Sequence, residues 1–270
     1  MKSEFNEIEL IASAVKIEEL FLAGGIVMTK VVLITGAGRG LGNSLAKMFL
    51  KQGYTVFAGV RKLNEGIDKE SFENNESLHI LEMDVSNTQL LKEAATSIAN
   101  ITSSLDIIIN NAGILCKDSF SGEDNTILDD LDADAMLDVY NVNALGALRV
   151  TNAFMPLLLN GKTKLLINIS SEAGSIAECT RDKWFGYCMS KAAMNMFGVL
   201  AHNEIVKYGG RVWQIHPGWM QTYMHGYFNE AAKYSADFSA EQINKLILNM
   251  NEYKTDTALF MDMFGKIIDW

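Results

Sequence analysis

Tyr187 and Lys191 stand four residues apart in the segment Tyr187-Cys188-Met189-Ser190-Lys191. Positions i and i+4 share one helix face, so a phenol and an ammonium would lie side by side. A free phenol, with a pKa of about 10, is a poor acid–base group at neutral pH. A neighbouring cation favours the phenolate and moves it toward the working range of a general acid or base. A tyrosine and a lysine on a solvated helix face would look the same, so the pair needs support from the rest of the chain. Upstream, Asn168-Ile169-Ser170-Ser171 closes an apolar run. A serine hydroxyl there can hydrogen-bond a carbonyl oxygen and the tyrosine together, although paired serines also open many loops. Asn143 is a polar group inside the apolar stretch Tyr140-Asn141-Val142-Asn143-Ala144-Leu145-Gly146. A mid-helix Asn is mildly unfavourable and points to a water or backbone partner.

A second group of residues has the chemistry of a dinucleotide site. Thr35–Gly42 reads TGAGRGLG directly behind the apolar run Val31-Val32-Leu33-Ile34. Gly36, Gly40 and Gly42, with Arg39 and Leu41 between them, permit a sharp turn and close backbone approach. The helix that follows would point its free N–H groups and positive dipole end at a pyrophosphate. The spacing is G-x-x-x-G-x-G and differs from the usual G-x-G-x-x-G fingerprint. No acid occupies 57–61 at the end of the second apolar run, where an NAD site would hold a ribose hydroxyl. Arg61 stands there instead, with Lys62 next and Arg39 in the glycine loop. A planar guanidinium suits a 2′-phosphate, which favours NADP(H) over NAD(H), though an ordinary surface arginine could occupy the same place. Asp84, followed by Val85, could accept a bond from an adenine amino group, while Ser86 could cap the next helix. Asn110-Asn111-Ala112-Gly113 can tie neighbouring loops together and let a cofactor approach the backbone, or can be a plain Asn/Gly turn. Pro217-Gly218, with Thr222 four residues beyond, makes a turn that could meet a carboxamide.

These residues need a scaffold, and the apolar pattern predicts one. Runs at 30–34, 54–60, 78–83, 105–109, 164–169 and 211–215 read as buried parallel strands. Helical patterns lie near 42–52, 87–101, 127–159 and 187–207. This alternation predicts an α/β fold, a single-domain Rossmann-type doubly wound parallel sheet with helices on both faces, over 29–270. Every motif above falls at a strand end or on the helix after it, where such sheets bind ligands.

The net charge of −10 argues against a nucleic-acid partner and reads as solubility. Cys116, Cys179 and Cys188 lack metal-ligand spacing and are odd in number, so no metal site or disulfide frame is expected and a reducing cytoplasm fits. No run reaches the ~20 apolar residues of a membrane span. Residues 1–28 carry too many acids for a secretory or transit signal, and read either as a short amphipathic helix or as a disordered leader before a second start at Met28.

Taken in order, TGxxxGxG, NNAG, NxxG, the serine-bearing strand end, YxxxK and PGxxxT resemble the short-chain dehydrogenase/reductase family over about residues 29–226. The resemblance implies a carbonyl–alcohol oxidoreductase acting on a small molecule. Tyr187 would be the proton donor, and Lys191 would bind the nicotinamide ribose and lower the Tyr187 pKa. Ser171 would polarise the carbonyl, and Asn143 would hold a relay water next to Lys191. Gly36, Gly40 and Gly42 would line the pyrophosphate, Asp84 the adenine, Asn111 the adenosine ribose and Thr222 the nicotinamide amide. The tail Gly265-Lys266-Ile267-Ile268-Asp269-Trp270 is similar to the ending of the carbonyl-reductase-like branch, which usually prefers NADPH. The Ser171–Tyr187 interval is a few residues longer than the family's usual spacing and contains Arg181, Asp182, Lys183 and Trp184, which places an insertion over the substrate side. Residues 223–250 would form a substrate lid, with Tyr223, Met224, Tyr227, Phe228, Ala231 and Ala232 as an apolar inner face. The long helices suit pairing across a two-fold axis in a homodimer or homotetramer, while some carbonyl reductases are monomers. Two other functions fit the fold, a reductase of carrier-bound 3-oxoacyl groups and a non-catalytic dinucleotide-binding signalling protein. The acidic surface disfavours the first, since acyl carriers are acidic. The presence of Asn143, Ser171, Tyr187 and Lys191 together disfavours the second.

Overall fold

Short runs of Val, Ile and Leu become strands here because the sheet they form is covered on both faces. In chain order the strands are β1 (Val31–Thr35), β2 (Thr55–Val60), β3 (Leu78–Glu82), β4 (Ile107–Asn110), β5 (Leu165–Ile169), β6 (Arg211–His216), the two-residue β7 (Met220–Gln221) and β8 (Tyr234–Ser235), and β9 (Leu259–Asp262). The helices are α1 (Gly40–Lys51), α2 (Thr88–Ala99), α3 (Ala133–Tyr140), α4 (Ala147–Asn160), α5 (Phe185–Ile205) and α6 (Ala236–Leu248). The computed structural model describes residues 29–63, 75–115, 125–224 and 226–270. The expectations for residues 1–28, and for Cys116, lie outside the described residues. Val31–Trp270 form one compact unit.

Seven strands make one sheet in the order β3-β2-β1-β4-β5-β6-β9, parallel at every pairing. On one face, Leu45 and Phe49 of α1 and Ile243 and Ile247 of α6 pack over Ile34, Ile109 and Ile167. On the other, Leu91 and Ile98 of α2 and Val150, Phe154 and Leu158 of α4 cover Leu33, Phe57 and Ile108. This is the doubly wound Rossmann-type sheet expected from the alternation, with a crevice beyond the carboxyl ends of β1 and β4, where the strand order reverses.

Four details differ from the sequence expectation. The seventh strand, β9, arises from a tail read only as a terminal signature. The long helical pattern near 127–159 is split by a π-helical turn, Asn141–Gly146, between α3 and α4. Asn87, not Ser86, caps α2, accepting from Gln89 and Leu90 N–H groups. Most of the second half of the expected lid is α6, whose Ala240, Ile243, Leu246 and Ile247 are buried in the core. In the first half Tyr223, Tyr227 and Phe228 are exposed, whereas Met224 packs against Leu115, Ala173 and Tyr187, and Ala232 is buried.

The run Ala133–Asn160 is long and apolar enough, at a mean hydropathy of 1.3, to cross a membrane by length and composition. The expectation that no run reaches the length of a membrane span is corrected here. The buried Val139, Val150, Phe154 and Leu158 of this run make it a core helix of this domain.

Candidate active site

Helix α5 sits against the sheet on a polar stripe. Tyr187, Lys191, Asn195, Gly198 and His202, three or four residues apart, all face inward and are buried. Burying polar groups this way is tolerated only if each finds a partner. Lys191 Nζ donates to the Ile169 carbonyl at 2.8 Å. Asn195 accepts from Ser170 Oγ at 2.6 Å and donates to the Gly174 carbonyl at 3.1 Å. His202 Nδ1 accepts from Val212 N–H at 3.2 Å. Gly198 leaves room for the Gln214 side chain, whose Nε2 would lie 1.4 Å from any added Cβ. The helix is thereby fastened to the ends of β5 and β6, and Tyr187 and Lys191 come to rest at the mouth of the crevice. Lys191 Nζ lies 5.6 Å from the centre of the Tyr187 ring.

The electrostatics of this pair are not those expected from spacing alone. Burial pushes the Tyr187 phenol well above its ordinary range; a hydrogen bond with Ser171 works against it, and the negative charge of Glu172 adds to it. Burial also pulls the Lys191 ammonium down to about 8. Desolvation of a phenol only 8 % exposed is the largest influence on it, and Lys191 does not figure among the others. Asn143 in the π turn has backbone partners. Its Oδ1 accepts from Ile114 N–H at 2.8 Å, and its Nδ2 donates to the Ile114 carbonyl at 2.9 Å and to Ser190 Oγ at 3.0 Å. Asn143 Oδ1 and Lys191 Nζ both abut Gly113, 3.3 and 3.8 Å from where a Cβ would stand.

Ser171 is the N-cap of a short 3-10 turn, accepting from Ala173 N–H at 3.1 Å. Its own proton goes to Glu172 Oε2 at 2.7 Å, because a carboxylate can only accept. A serine hydroxyl has one proton, so the implied role as a donor to a carbonyl is not the state seen here. Glu172 was not legible as a site residue. Its Oε2 lies 3.0 Å from His216 Nδ1, and its Oε1 accepts from the Arg181 guanidinium. Arg181 also stands 5.2 Å from the centre of the Trp184 ring, and that ring meets Tyr187 edge-on at 6.0 Å. Trp184 takes a left-handed φ of 67°, a strained conformation for a bulky residue, at the point where the loop after Ser171 enters α5. The signal that could have found the cluster was the acid directly after Ser171 together with a histidine at the end of the next strand.

The glycine turn fits a dinucleotide phosphate. Gly36 and Gly40 have φ of 64° and 54°, and a Cβ on Gly42 would lie 2.4 Å from the Gly36 carbonyl oxygen. Arg39, the N-cap of α1, makes no side-chain cap, and the first turn has no acid, so its N–H donors suit an outside anion. Leu41 is buried behind the turn. Thr222 Cγ2 comes within 3.5 Å of the Gly40 Cβ direction, which draws the loop after β6 onto the glycine turn. Between them lies a cavity of about 260 Å³ lined by Arg39, Asn43, Thr222 and Phe228. Asn111 Nδ2 donates to the Thr35 and Gly36 carbonyls at 2.9 and 3.1 Å, and Ala112 N–H to Thr35 Oγ1 at 3.1 Å. The side chain implied at the adenosine ribose thus ties β4 to the turn. Asp84 Oδ1 accepts from Ser86 N–H and Oγ at 2.9 and 2.6 Å. Val85 is buried, Arg61 is exposed at the end of β2, and Pro217 is buried before Gly218, whose φ is 83°.

The family model for short chain dehydrogenases matches residues 30–233. The chain belongs to the short-chain dehydrogenase family. Estradiol 17-beta-dehydrogenase 2 of Rattus norvegicus is 36 % identical over 205 residues, 73 % of this chain and 50 % of that protein, so the chain spans about half of that relative's length. An uncharacterised oxidoreductase of Schizosaccharomyces pombe is 30 % identical over 259 residues, 90 % of this chain and 97 % of that one. Among solved structures, NADPH-bound carbonyl reductase from chicken fatty liver is 28 % identical, with a TM-score of 0.77 over 90 % of this chain and 99 % of that one. The carbonyl reductase Sniffer of Drosophila melanogaster is 25 % identical, with a TM-score of 0.79 over 90 % of this chain and 100 % of that one. The chain is an oxidoreductase of the short-chain dehydrogenase family with carbonyl-reductase-like relatives.

Proposed function

We propose that the protein is an NADP(H)-dependent oxidoreductase that interconverts a small-molecule carbonyl and its alcohol, with Tyr187 as general acid and base. The supporting observation is the convergence of three buried groups, Tyr187, Ser171 and Lys191, beside a glycine turn shaped for pyrophosphate. When bound, the nicotinamide supplies or takes the hydride. Gly36, Gly40, Gly42 and the α1 N-terminus hold the phosphates, and Asn111, Ala112 and Gly113 form the floor beside them. Lys191, buried and pinned to Ile169, is placed to hold the nicotinamide ribose. Tyr187 rests protonated, ready to give its proton to the substrate oxygen. Arg61 and Arg39, with no acid at 57–61, support NADP(H), and the chicken carbonyl reductase with NADPH bound agrees.

Side-by-side titration with NADPH and NADH, together with turnover of Tyr187→Phe on a carbonyl panel, tests this reading. NADPH binds more tightly, and Tyr187→Phe keeps nucleotide affinity while losing about 10²–10⁴ in kcat, the usual size of general-acid catalysis. Tighter NADH binding, or normal turnover of Tyr187→Phe, refutes it.

The same reading includes a two-fold pairing. Met189, Met196 and Leu200 on α5 and Leu137 and Leu148 on α3 and α4 are exposed apolar residues on helices that pack together. Burying such a surface against a second copy of this chain removes it from water.

A further inference from the structure

We propose that Arg149 is a positioning residue: its guanidinium fixes the π-helical turn that carries Asn143 to the carboxyl end of β3. The inference rests on the oxidoreductase reading above and deepens it by adding a residue that acts through Asn143. Side chains on a helix lean toward its N-terminus, so Arg149, in the first turn of α4, reaches back over the turn Asn141–Gly146. Its Nη1 donates to the Asn141 carbonyl at 3.1 Å and, more loosely, to the Val85 carbonyl at 3.5 Å. Its Nη2 donates to Asn141 Oδ1 at 2.8 Å. A guanidinium is a rigid planar fork with donors and no acceptor, and here it grips the backbone and the side chain of one residue together. A lysine would meet these oxygens only as a point charge. Gly146 closes the same contact from the far end of the turn, since a Cβ there would lie 2.8 Å from Val85 Cγ2. Both ends of the π turn are thus set against Val85.

The turn matters for what it carries. Single π turns inside α-helices are rare and gather at functional sites. Asn143, fully buried within this one, accepts from Ile114 N–H at 2.8 Å and donates to the Ile114 carbonyl at 2.9 Å. Those two bonds fix the chain just beyond β4. Gly113, the residue before, lies between Asn143 Oδ1 and Lys191 Nζ, which stand 3.3 and 3.8 Å from its Cβ direction. A shift of the turn therefore moves Asn143, and with it the backbone that faces Lys191. Asp84 and Val85 follow β3, where the adenine of a nucleotide is expected, so Arg149 ties that end of the crevice to the Lys191 end. Its bonds turn the guanidinium toward protein oxygens, which is the posture of a support and not of a phosphate ligand. Arg149 moves no proton or hydride itself; it sets where Asn143 stands.

The test uses the full chain and its Arg149→Met, Arg149→Lys and Asn143→Ala variants, with each Arg149 change also made on Asn143→Ala. Amide hydrogen exchange at Ile114 is measured without nucleotide, NADPH affinity by calorimetry, and hydride transfer to a reducible carbonyl in a single turnover. Ile114 N–H reports on Asn143 directly, because it donates to Asn143 Oδ1. Arg149→Met is expected to speed exchange at Ile114 by about tenfold or more, while Ile108 in the middle of β4 stays as in wild type. Hydride transfer slows by about 10–100-fold, the size of loss that a displacement near an ångström brings. NADPH affinity stays within about threefold. Arg149→Lys, with the charge but not the fork, falls between wild type and Arg149→Met. On Asn143→Ala, either Arg149 change costs less than about threefold more in transfer, since the residue it acts through is gone. Wild-type exchange at Ile114 in Arg149→Met overturns the proposal. So does a transfer loss of equal size with and without Asn143, which marks a merely structural role. If Arg149→Met does not fold, the same comparisons on Arg149→Lys decide. A wild type that reduces no carbonyl refutes the oxidoreductase reading itself, and exchange at Ile114 still decides whether Arg149 holds Asn143 in place.

Discussion

Adding one methyl group at Gly42 tests whether the glycine turn is shaped by contact rather than by flexibility. A Cβ there would stand 2.4 Å from the Gly36 carbonyl oxygen and 2.5 Å from Asn111 Nδ2. Neither neighbour can yield alone, because the same Asn111 nitrogen holds the Thr35 and Gly36 carbonyls. The turn must shift by something near an ångström. For stability the effects nearly cancel: alanine gains up to about 1 kcal/mol over glycine in a helix, and overpacking costs about 1–3 kcal/mol. Gly42→Ala should therefore fold with a loss of about 1 kcal/mol. Nucleotide binding has no such compensation. Hydrogen bonds to a charged group are worth about 1.5–3 kcal/mol each, so misplacing two phosphate-facing N–H groups costs about 3 kcal/mol or more, roughly 100-fold in Kd. Gly40→Ala is the contrast, since its Cβ would meet Thr222 at an ordinary 3.5 Å but would sit at a φ of 54°. It should lose about 1–2 kcal/mol of stability to the left-handed backbone and much less affinity. Calorimetric titration with NADPH and urea unfolding measure both quantities. A Gly42→Ala chain that binds within about threefold of wild type, under 1 kcal/mol, would show that the turn does not cradle the phosphates.

Lys191 makes a pH prediction. Its folded pKa of about 8 lies below its ordinary 10.5, so between those values the unfolded chain binds more protons and stability rises with pH. Below about 8 the cost of burying the charge is fully present, on the order of 3 kcal/mol. Lys191→Met should thus unfold at higher urea than wild type at neutral pH, with the gap closing toward pH 10.5; a gap that widens with pH contradicts the burial argument. Met196→Glu places a charge on the exposed apolar stripe of α5 and should convert a dimer to monomer in sedimentation velocity. A wild type that is already monomeric at high micromolar concentration removes the pairing.

The nucleotide half of the molecule was readable because its signals are local. β1 and β5 are buried at every position and so read as unbroken apolar runs. The glycines of the turn follow β1 directly, and the Tyr187–Lys191 pair needs only one helical turn. The substrate half was not readable, because its contacts join residues far apart. Ile169 and Ile215 pair in register between β5 and β6, so the residues just beyond each strand end meet. That register brings Glu172 to His216, and no spacing in the sequence announces it. β9 is four residues long and ends in an acid, too short to stand out from a tail. The π turn was hidden because its residues are as apolar as the helices on either side.

The loop between Ser171 and α5 is held down by the C-terminus. Ala177 N–H donates to the Trp270 carbonyl at 2.9 Å, Ser175 Oγ to the Asp269 carbonyl at 2.6 Å, and Asp269 N–H to Glu178 Oε1 at 3.1 Å. Trp270 in turn packs on Phe260 of β9, their ring centres 5.4 Å apart, and β9 pairs with β6 so that Asp262 stands beside His216. One end of the Glu172 cluster, Arg181, is therefore carried by a loop that the C-terminus holds down. The other end, His216, is carried by the strand that β9 borders. Both supports come from residues after 258. The residues shared with the family build the nucleotide cradle and the Tyr187–Lys191 face of α5. The surface opposite them is held by contacts between the loop and the tail.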